Sequence, residues 1–70
     1  MAKAQWSDVE ALVRPWFDQG LKPDRGDLID LAYQQDASDD VIDALDTLGS
    51  RPLESLESLR EQLERNGALA

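Results

Sequence analysis

Residues 27–46 constrain the fold of this chain more than any other segment. Apolar residues recur there at the i, i+3, i+4 spacing of an amphipathic helix, in two stripes: Leu28, Leu31 and Ala32, then Val41, Ala44 and Leu45. Seven of the twenty residues are Asp, and none is Lys or Arg. The segment is therefore predicted to form two short helices joined by a tight turn, with apolar sides inward and carboxylates outward.

The first helix is predicted from four apolar residues at helical spacing: Val9, Leu12, Val13 and Trp16. Ser7 is a suitable N-cap, and Glu10 completes the S-x-x-E pattern of a capping box. Pro15 cannot donate a hydrogen bond to the carbonyl of Ala11, and its ring crowds that carbonyl. A kink is therefore expected at Pro15, or a break followed by a short second piece.

The other helix limits follow from capping chemistry. Asp24, Ser38 and Ser55 are predicted N-caps of the second, third and fourth helices, because their side-chain oxygens can accept from the free amides of a first turn. Gly20 is expected to end the first helix, and Gly49 is expected to end the third in a left-handed conformation. The fourth helix has an apolar stripe of its own: Leu56, Leu59 and Leu63.

The whole chain is predicted to be all-α. No alternating apolar and polar run is present, so no strand is expected. The connections are short, which predicts a compact array of four short helices, the first kinked at Pro15. Residues 1–70 are expected to form a single small helical domain, with residues 1–6 and 67–70 frayed.

Charge and composition exclude several classes of function. The formal net charge of −8 repels nucleic-acid phosphates and anionic lipid, so neither direct nucleic-acid binding nor membrane binding is expected. The chain has no Cys and no His, which removes the thiolate nucleophile, the usual general base and the commonest transition-metal ligand. No apolar run approaches the ~20 residues of a membrane span. We expect a cytoplasmic protein that is not an enzyme and has no cofactor.

A calcium site is weighed and set aside. Asp36, Ser38 and Asp40 place oxygen atoms at the first, third and fifth positions of a calcium-binding loop. Such a loop also needs a glycine at its sixth position and a glutamate at its twelfth, where this chain has Val41 and Thr47. A helix cap at Ser38 explains the same residues without a metal. No metal ligand is therefore predicted, and a weak divalent-cation site at residues 36–40 is kept as an alternative.

A candidate protein-contact surface lies on the predicted third helix. Asp39, Asp43 and Asp46 recur at i, i+4 and i+7 on the side opposite its apolar stripe. Like charges at this spacing repel by a few tenths of a kcal/mol. The stripe is either a contact surface for a basic partner or an ordinary solvated side of the helix. Phe17 and Trp6 complete the candidate surface, because an exposed aromatic side chain is a natural anchor for a partner protein.

The basic residues are expected to have structural roles. Arg51 is predicted to cap carbonyls at the end of the third helix, or to pair with a nearby aspartate. On the fourth helix, Glu57 is expected to pair with Arg60, and Glu61 with Arg65.

From residue 21 onward the chain follows a recognisable order of elements. A proline opens a leucine-rich helix, and a short acidic turn, a second helix, an arginine and a final helix follow. The residues that carry this order are Pro23, Leu28, Ile29, Ala32, residues 39–42, Leu45, Leu48, Arg51, Leu53 and residues 55–63. The order resembles a family of small bacterial proteins, the domain of unknown function numbered 2795. The resemblance implies a helical fold and no assigned activity, cofactor or site residue.

The function expected from these observations is that of a non-catalytic protein-interaction or regulatory module in a bacterial cytoplasm. Its partner would be an unidentified protein, basic in character. The alternative is an acidic nucleic-acid mimic, or phage-type inhibitor, that occupies a nucleic-acid-binding protein.

Overall fold

Four α-helices make up the computed structural model, which describes residues 3–70. They are α1 (Trp6–Asp18), α2 (Arg25–Gln34), α3 (Asp39–Asp46) and α4 (Leu56–Arg65). α1 packs against α2 and α4, and α2 packs against α3. Between residues 3 and 70 the only β pairing is a single isolated bridge, so the predicted all-α fold of four short helices is confirmed.

The core consists of apolar side chains from all four helices. Its buried members are Ala4, Val9, Val13, Leu28, Leu31, Ala32, Val41, Ala44, Leu45, Leu48, Leu53, Leu59 and Leu63. Leu12, Trp16 and Leu56, which the spacing also predicts to face inward, are half-buried and pack against this cluster. The two longer connections, residues 19–24 and residues 47–55, meet at the core. There the amide of Leu53 donates to the carbonyl of buried Pro23 at 2.8 Å.

α1 begins earlier than the sequence predicts. Its N-cap is Gln5, which makes no side-chain capping bond, and Ser7 lies exposed inside the first turn. The predicted capping box of Ser7 and Glu10 is therefore wrong. Trp6 explains the early start. It is half-buried against the core, and the guanidinium of Arg60 on α4 lies 5.5 Å from the centre of its ring, which is a cation–π distance.

α1 continues through Pro15 to Asp18, so the predicted break does not occur, and the kink stays a prediction. The helix then ends at Gly20 as expected. Gly20 has a φ of +79°, and its amide donates to the carbonyl of Phe17 at 3.0 Å. The next amide, of Leu21, donates to the carbonyl of Trp16 at 3.1 Å. These two bonds form a Schellman motif, which needs a left-handed residue.

The three other predicted N-caps are confirmed. The side chain of Asp24 accepts from the amide of Asp27 at 2.9 Å, and the Asp27 side chain accepts from the Asp24 amide at 3.3 Å. These two bonds make a reciprocal capping box. The hydroxyl of Ser38 accepts from the amide of Val41 at 3.4 Å, and that of Ser55 accepts from the amide three residues on at 3.1 Å.

The end of α3 differs from the prediction. Gly49 is not in the left-handed region, so its predicted role as a left-handed helix end is wrong. The C-cap is Thr47, and its hydroxyl donates to the carbonyl of Ala44 at 2.7 Å. The side-chain amide of Asn66, at the end of α4, donates to the Thr47 carbonyl at 3.1 Å. Side chains satisfy the carbonyls here, so no left-handed residue is needed.

The two ends of the described chain pair with each other. The amide of Ala4 donates to the carbonyl of Ala68 at 3.1 Å, and the amide of Ala70 donates to the carbonyl of Ala4 at 2.8 Å. Ala4 and Leu69 form a parallel β-bridge, and Ala4 is buried. The fraying expected at residues 1–6 and 67–70 stays a prediction. Residues 1–2 lie outside the described part of the chain.

Candidate functional site

The predicted acidic stripe is present on the outer side of α3. Asp39, Asp43 and Asp46 are all exposed, and the opposite side of the helix is buried in the core. Asp39 and half-buried Asp40 occupy the first turn of α3, where the helix dipole favours negative charge. These two aspartates therefore have a local stabilising role, whereas Asp43 and Asp46 lie further along the helix.

Asp46 is held by Arg25, at the start of α2. The Arg25 guanidinium forms an ion pair with the Asp46 carboxylate, and its Nε donates to the Asp46 carbonyl at 3.1 Å. Arg25 thus fulfils the role that the sequence predicts for Arg51. The exposed side chain of Arg51 makes no hydrogen bond or ion pair with the described residues, so that prediction is wrong. Sequence reasoning missed Arg25 because it lies 21 positions before its partner.

Asp39 and Asp43 have no such neutralising partner. Neither side chain forms an ion pair with any of residues 3–70. Lys3 lines the same shallow depression as Asp40 and Asp43, a space of about 240 Å³, but it pairs with neither. Within the described chain, two of the three stripe carboxylates are therefore exposed and have no ion-pair partner.

The predicted ion pairs of α4 are replaced by another pair. Arg60 donates through Nε to Glu64 at 2.9 Å, and neither Glu57 nor Glu61 pairs with a cation among residues 3–70. The Arg60 guanidinium also lies over the ring of Trp6. α4 thereby contributes a structural contact with α1.

The two candidate aromatic residues lie on α1, and the acidic stripe lies on α3. Trp6 and Phe17 are separated by eleven positions, or about three helical turns, so they share one side of α1. Both are half-buried and pack against the core, and Arg60 lies over the Trp6 ring. Neither of them lines a described depression that contains an α3 aspartate. Their partial burial is explained by packing.

A groove lined by both apolar and polar side chains, which sequence reasoning missed, runs along another side of α1. Its first wall follows the i, i+3, i+4, i+7 and i+8 positions of the helix: Asp8, Ala11, Leu12, Pro15 and Trp16. Ala11 and Pro15 are exposed, and Leu12 and Trp16 are half-buried. This side of α1 is therefore only partly covered by the rest of the described domain.

The second wall of the groove comes from α2, the turn after it and the start of α3. Its residues are Leu31, Gln35, Ala37, Ser38 and Val41. Two openings of about 250 and 390 Å³ share Ala11, Leu12 and Gln35, so they adjoin along this side of α1. We call this feature the α1 groove. The groove is open to solvent, whereas a site for a small molecule usually encloses most of its ligand. The groove is therefore better suited to side chains of another protein.

The turn that completes the groove depends on Asp36. Asp36 is the one described residue other than glycine with a left-handed backbone, at a φ of 56°. Its amide donates to the carbonyl of Tyr33 at 3.2 Å, and the amide of Ala37 donates to the carbonyl of Ala32 at 2.9 Å. This Schellman motif ends α2 and directs the chain into Ser38, the cap of α3.

The alternative cation site at residues 36–40 gains no support from this geometry. Across residues 3–70, no three carboxylates come together in an arrangement that could hold a metal ion. The carboxylates of Asp39 and Asp40 lie in the first turn of α3, and Ser38 caps that helix.

Among residues 3–70, none of the four helices has both the length and the apolar character that a membrane span requires.

Comparisons of the chain with protein-family models, with curated proteins and with solved structures each found no match. The resemblance to family 2795 therefore stays a prediction.

Proposed function

We propose that this protein is a non-catalytic interaction or regulatory module of a bacterial cytoplasm, which binds a basic protein partner through the outer side of α3. The observation that carries the proposal is the absence of an ion-pair partner for two carboxylates of the acidic stripe, Asp39 and Asp43. Both are exposed, and neither forms an ion pair with any of residues 3–70.

The contrast with Asp46 supports this assignment. Asp46 is neutralised within the chain by Arg25, whereas Asp39 and Asp43 lie one turn apart and repel each other by a few tenths of a kcal/mol. A basic surface brought against α3 would remove that repulsion. It would also be steered towards the protein by the net charge of −8, which raises association rates.

The test is affinity capture with a tagged double variant, Asp39→Asn with Asp43→Asn. Asp46 is left unchanged because its carboxylate holds α2 to α3. The matched control is Glu54→Gln with Glu61→Gln, which changes the net charge equally at exposed positions away from α3. Circular dichroism verifies that both variants keep their helices.

The proposal predicts that the Asp39 and Asp43 double variant recovers much less of a basic partner than the unchanged protein does. The Glu54 and Glu61 control should recover as much as the unchanged protein. Equal recovery by all three proteins would show that the acidic side of α3 is only a solvated surface. A nucleic-acid mimic would use the same carboxylates. Its captured partner would be released by duplex DNA or RNA, which competes for the same surface of the target.

A further inference from the structure

We propose that the α1 groove is the docking site for a basic amphipathic helix of the partner protein. This inference rests on the proposed function, and it names the element of the partner that is recognised. The groove and the acidic stripe adjoin at the start of α3, where Ser38 lines the groove and Asp39 follows it directly.

The shape of the groove fits a helix. Its α1 wall extends from Asp8 to Trp16, a length of about 12 Å at 1.5 Å per helical residue. That length matches about two turns of a docked helix, whose anchors recur at i, i+3 or i+4 and i+7. An extended peptide that bound as an added strand would need free backbone groups to pair with. In the turn on the second wall, however, the amides of Asp36 and Ala37 are already bonded to carbonyls of α2.

The charge around the groove selects a basic occupant. Asp8 is the one charged residue that lines it. Asp36 and Asp39 flank the wall residues Ala37 and Ser38 in the chain, and Asp40 precedes the wall residue Val41. Residues 26–50 contain no Lys or Arg, and Arg14, which precedes Pro15 on the α1 wall, is paired with Asp18. Lysine or arginine side chains at the margin of an apolar helix face would therefore meet carboxylates. A second copy of this chain would instead bring a net charge of −8 and the same carboxylates, so self-association is disfavoured.

The experiment uses synthetic peptides and the intact chain. The probe is an amphipathic peptide of Leu and Lys about 14 residues long, which is long enough to be helical when bound. A peptide with Glu in place of every Lys is its counterpart. Binding is measured from the fluorescence of the protein, because Trp16 lines the groove and the peptides contain no tryptophan. Sedimentation gives the oligomeric state.

The test variants alter the groove and leave α3 unchanged. Ala11→Arg places a long cation on one wall, and Gln35→Arg does so on the other, both at exposed positions. Ser50→Arg adds the same charge at an exposed position in the connection between α3 and α4. The Lys peptide is expected to bind the parent and Ser50→Arg equally, and the two groove variants about tenfold more weakly. The Glu peptide is expected not to bind.

Three results would overturn the inference. The first is unchanged binding of the Lys peptide by Ala11→Arg and Gln35→Arg, and the second is equal binding of the Glu peptide. The third is a dimer of the parent chain that Ala11→Arg dissociates, because a second copy would then cover the groove. If the groove variants still capture the partner and the Asp39 and Asp43 double variant does not, the groove fails and the proposed function stands.

Discussion

Replacing Arg25 with Met is expected to lower the free energy of unfolding by about 1 kcal/mol. Arg25 joins the start of α2 to the end of α3 through the carboxylate and the carbonyl of Asp46. The two side chains are 43% and 60% exposed, so their ion pair contributes about 0.2–1 kcal/mol. The dipoles of α3 and α2 have opposite effects on this cation, because it lies at the carboxyl end of α3 and in the first turn of α2. The hydrogen bond from its Nε to the Asp46 carbonyl adds about 0.5–1.5 kcal/mol. Met keeps much of the apolar length of the arginine side chain, so the loss reports the guanidinium.

Urea and thermal unfolding measure this loss. In a domain of this size, 1 kcal/mol corresponds to a fall of about 4–8 °C in the melting temperature. Arg51→Met is the matched control and is expected to have almost no effect, because the Arg51 side chain makes no hydrogen bond or ion pair with residues 3–70. A double-mutant cycle of Arg25→Met with Asp46→Asn should give a coupling of about 0.2–1 kcal/mol that shrinks as salt is added. Equal losses from the two arginine variants, or no coupling, would refute the reasoning.

Five other substitutions test the structure by the same unfolding measurements. Gly67→Ala should cost about 1–2 kcal/mol, because its φ is +70° although an added Cβ would meet nothing within 4 Å. At Gly49 an added Cβ also meets nothing within 4 Å, and the backbone is not left-handed, so Gly49→Ala should stabilise the protein by about 0.4–1 kcal/mol. Equal effects of the two glycine substitutions would contradict this. Asp24→Ala should cost about 0.5–2 kcal/mol and Ser7→Ala almost nothing, and the reverse order would restore the predicted Ser7 cap. Ala4→Asp should cost about 2 kcal/mol or more, because it buries an unpaired carboxylate, whereas a frayed end would tolerate it.

Local chemistry made most of the fold predictable. The caps at Asp24, Ser38 and Ser55 depend on a side chain and an amide three residues apart, so a short stretch of sequence contains all the information required. The apolar stripes are equally local, since helical periodicity places their residues on one side whatever the rest of the chain does.

The wrong predictions concern contacts between distant parts of the chain. The early start of α1 depends on Trp6 meeting the core and Arg60 of α4, which overrides the local signal of Ser7. The end of α3 depends on Asn66, nineteen positions away, so a glycine after the helix was a misleading guide. The contact of Arg25 with Asp46 also joins distant parts of the chain, because the packing of α2 against α3 brings the two residues together.

The candidate site was only partly predictable. The exposure of Asp39 and Asp43 follows from their spacing against the apolar stripe of α3. The α1 groove needs two walls that come from different helices, and Ala11 and Gln35 give no signal of it on their own. A signal was present in the breadth of the apolar side of α1, because Ala11 and Pro15 extend the predicted stripe beyond what the core covers.

A chemical-shift map of the isotopically labelled protein, titrated with the Leu and Lys peptide, tests the central claim most directly. If a basic helix docks in the α1 groove beside the acidic start of α3, the perturbed amides should cluster at Ala11, Leu12, Gln35, Ala37 and Asp39. The chemical shifts of the amides on the outer side of α4 should not change. Shifts concentrated on α4, or no shifts at all, would contradict the claim that this part of the molecule binds a basic partner.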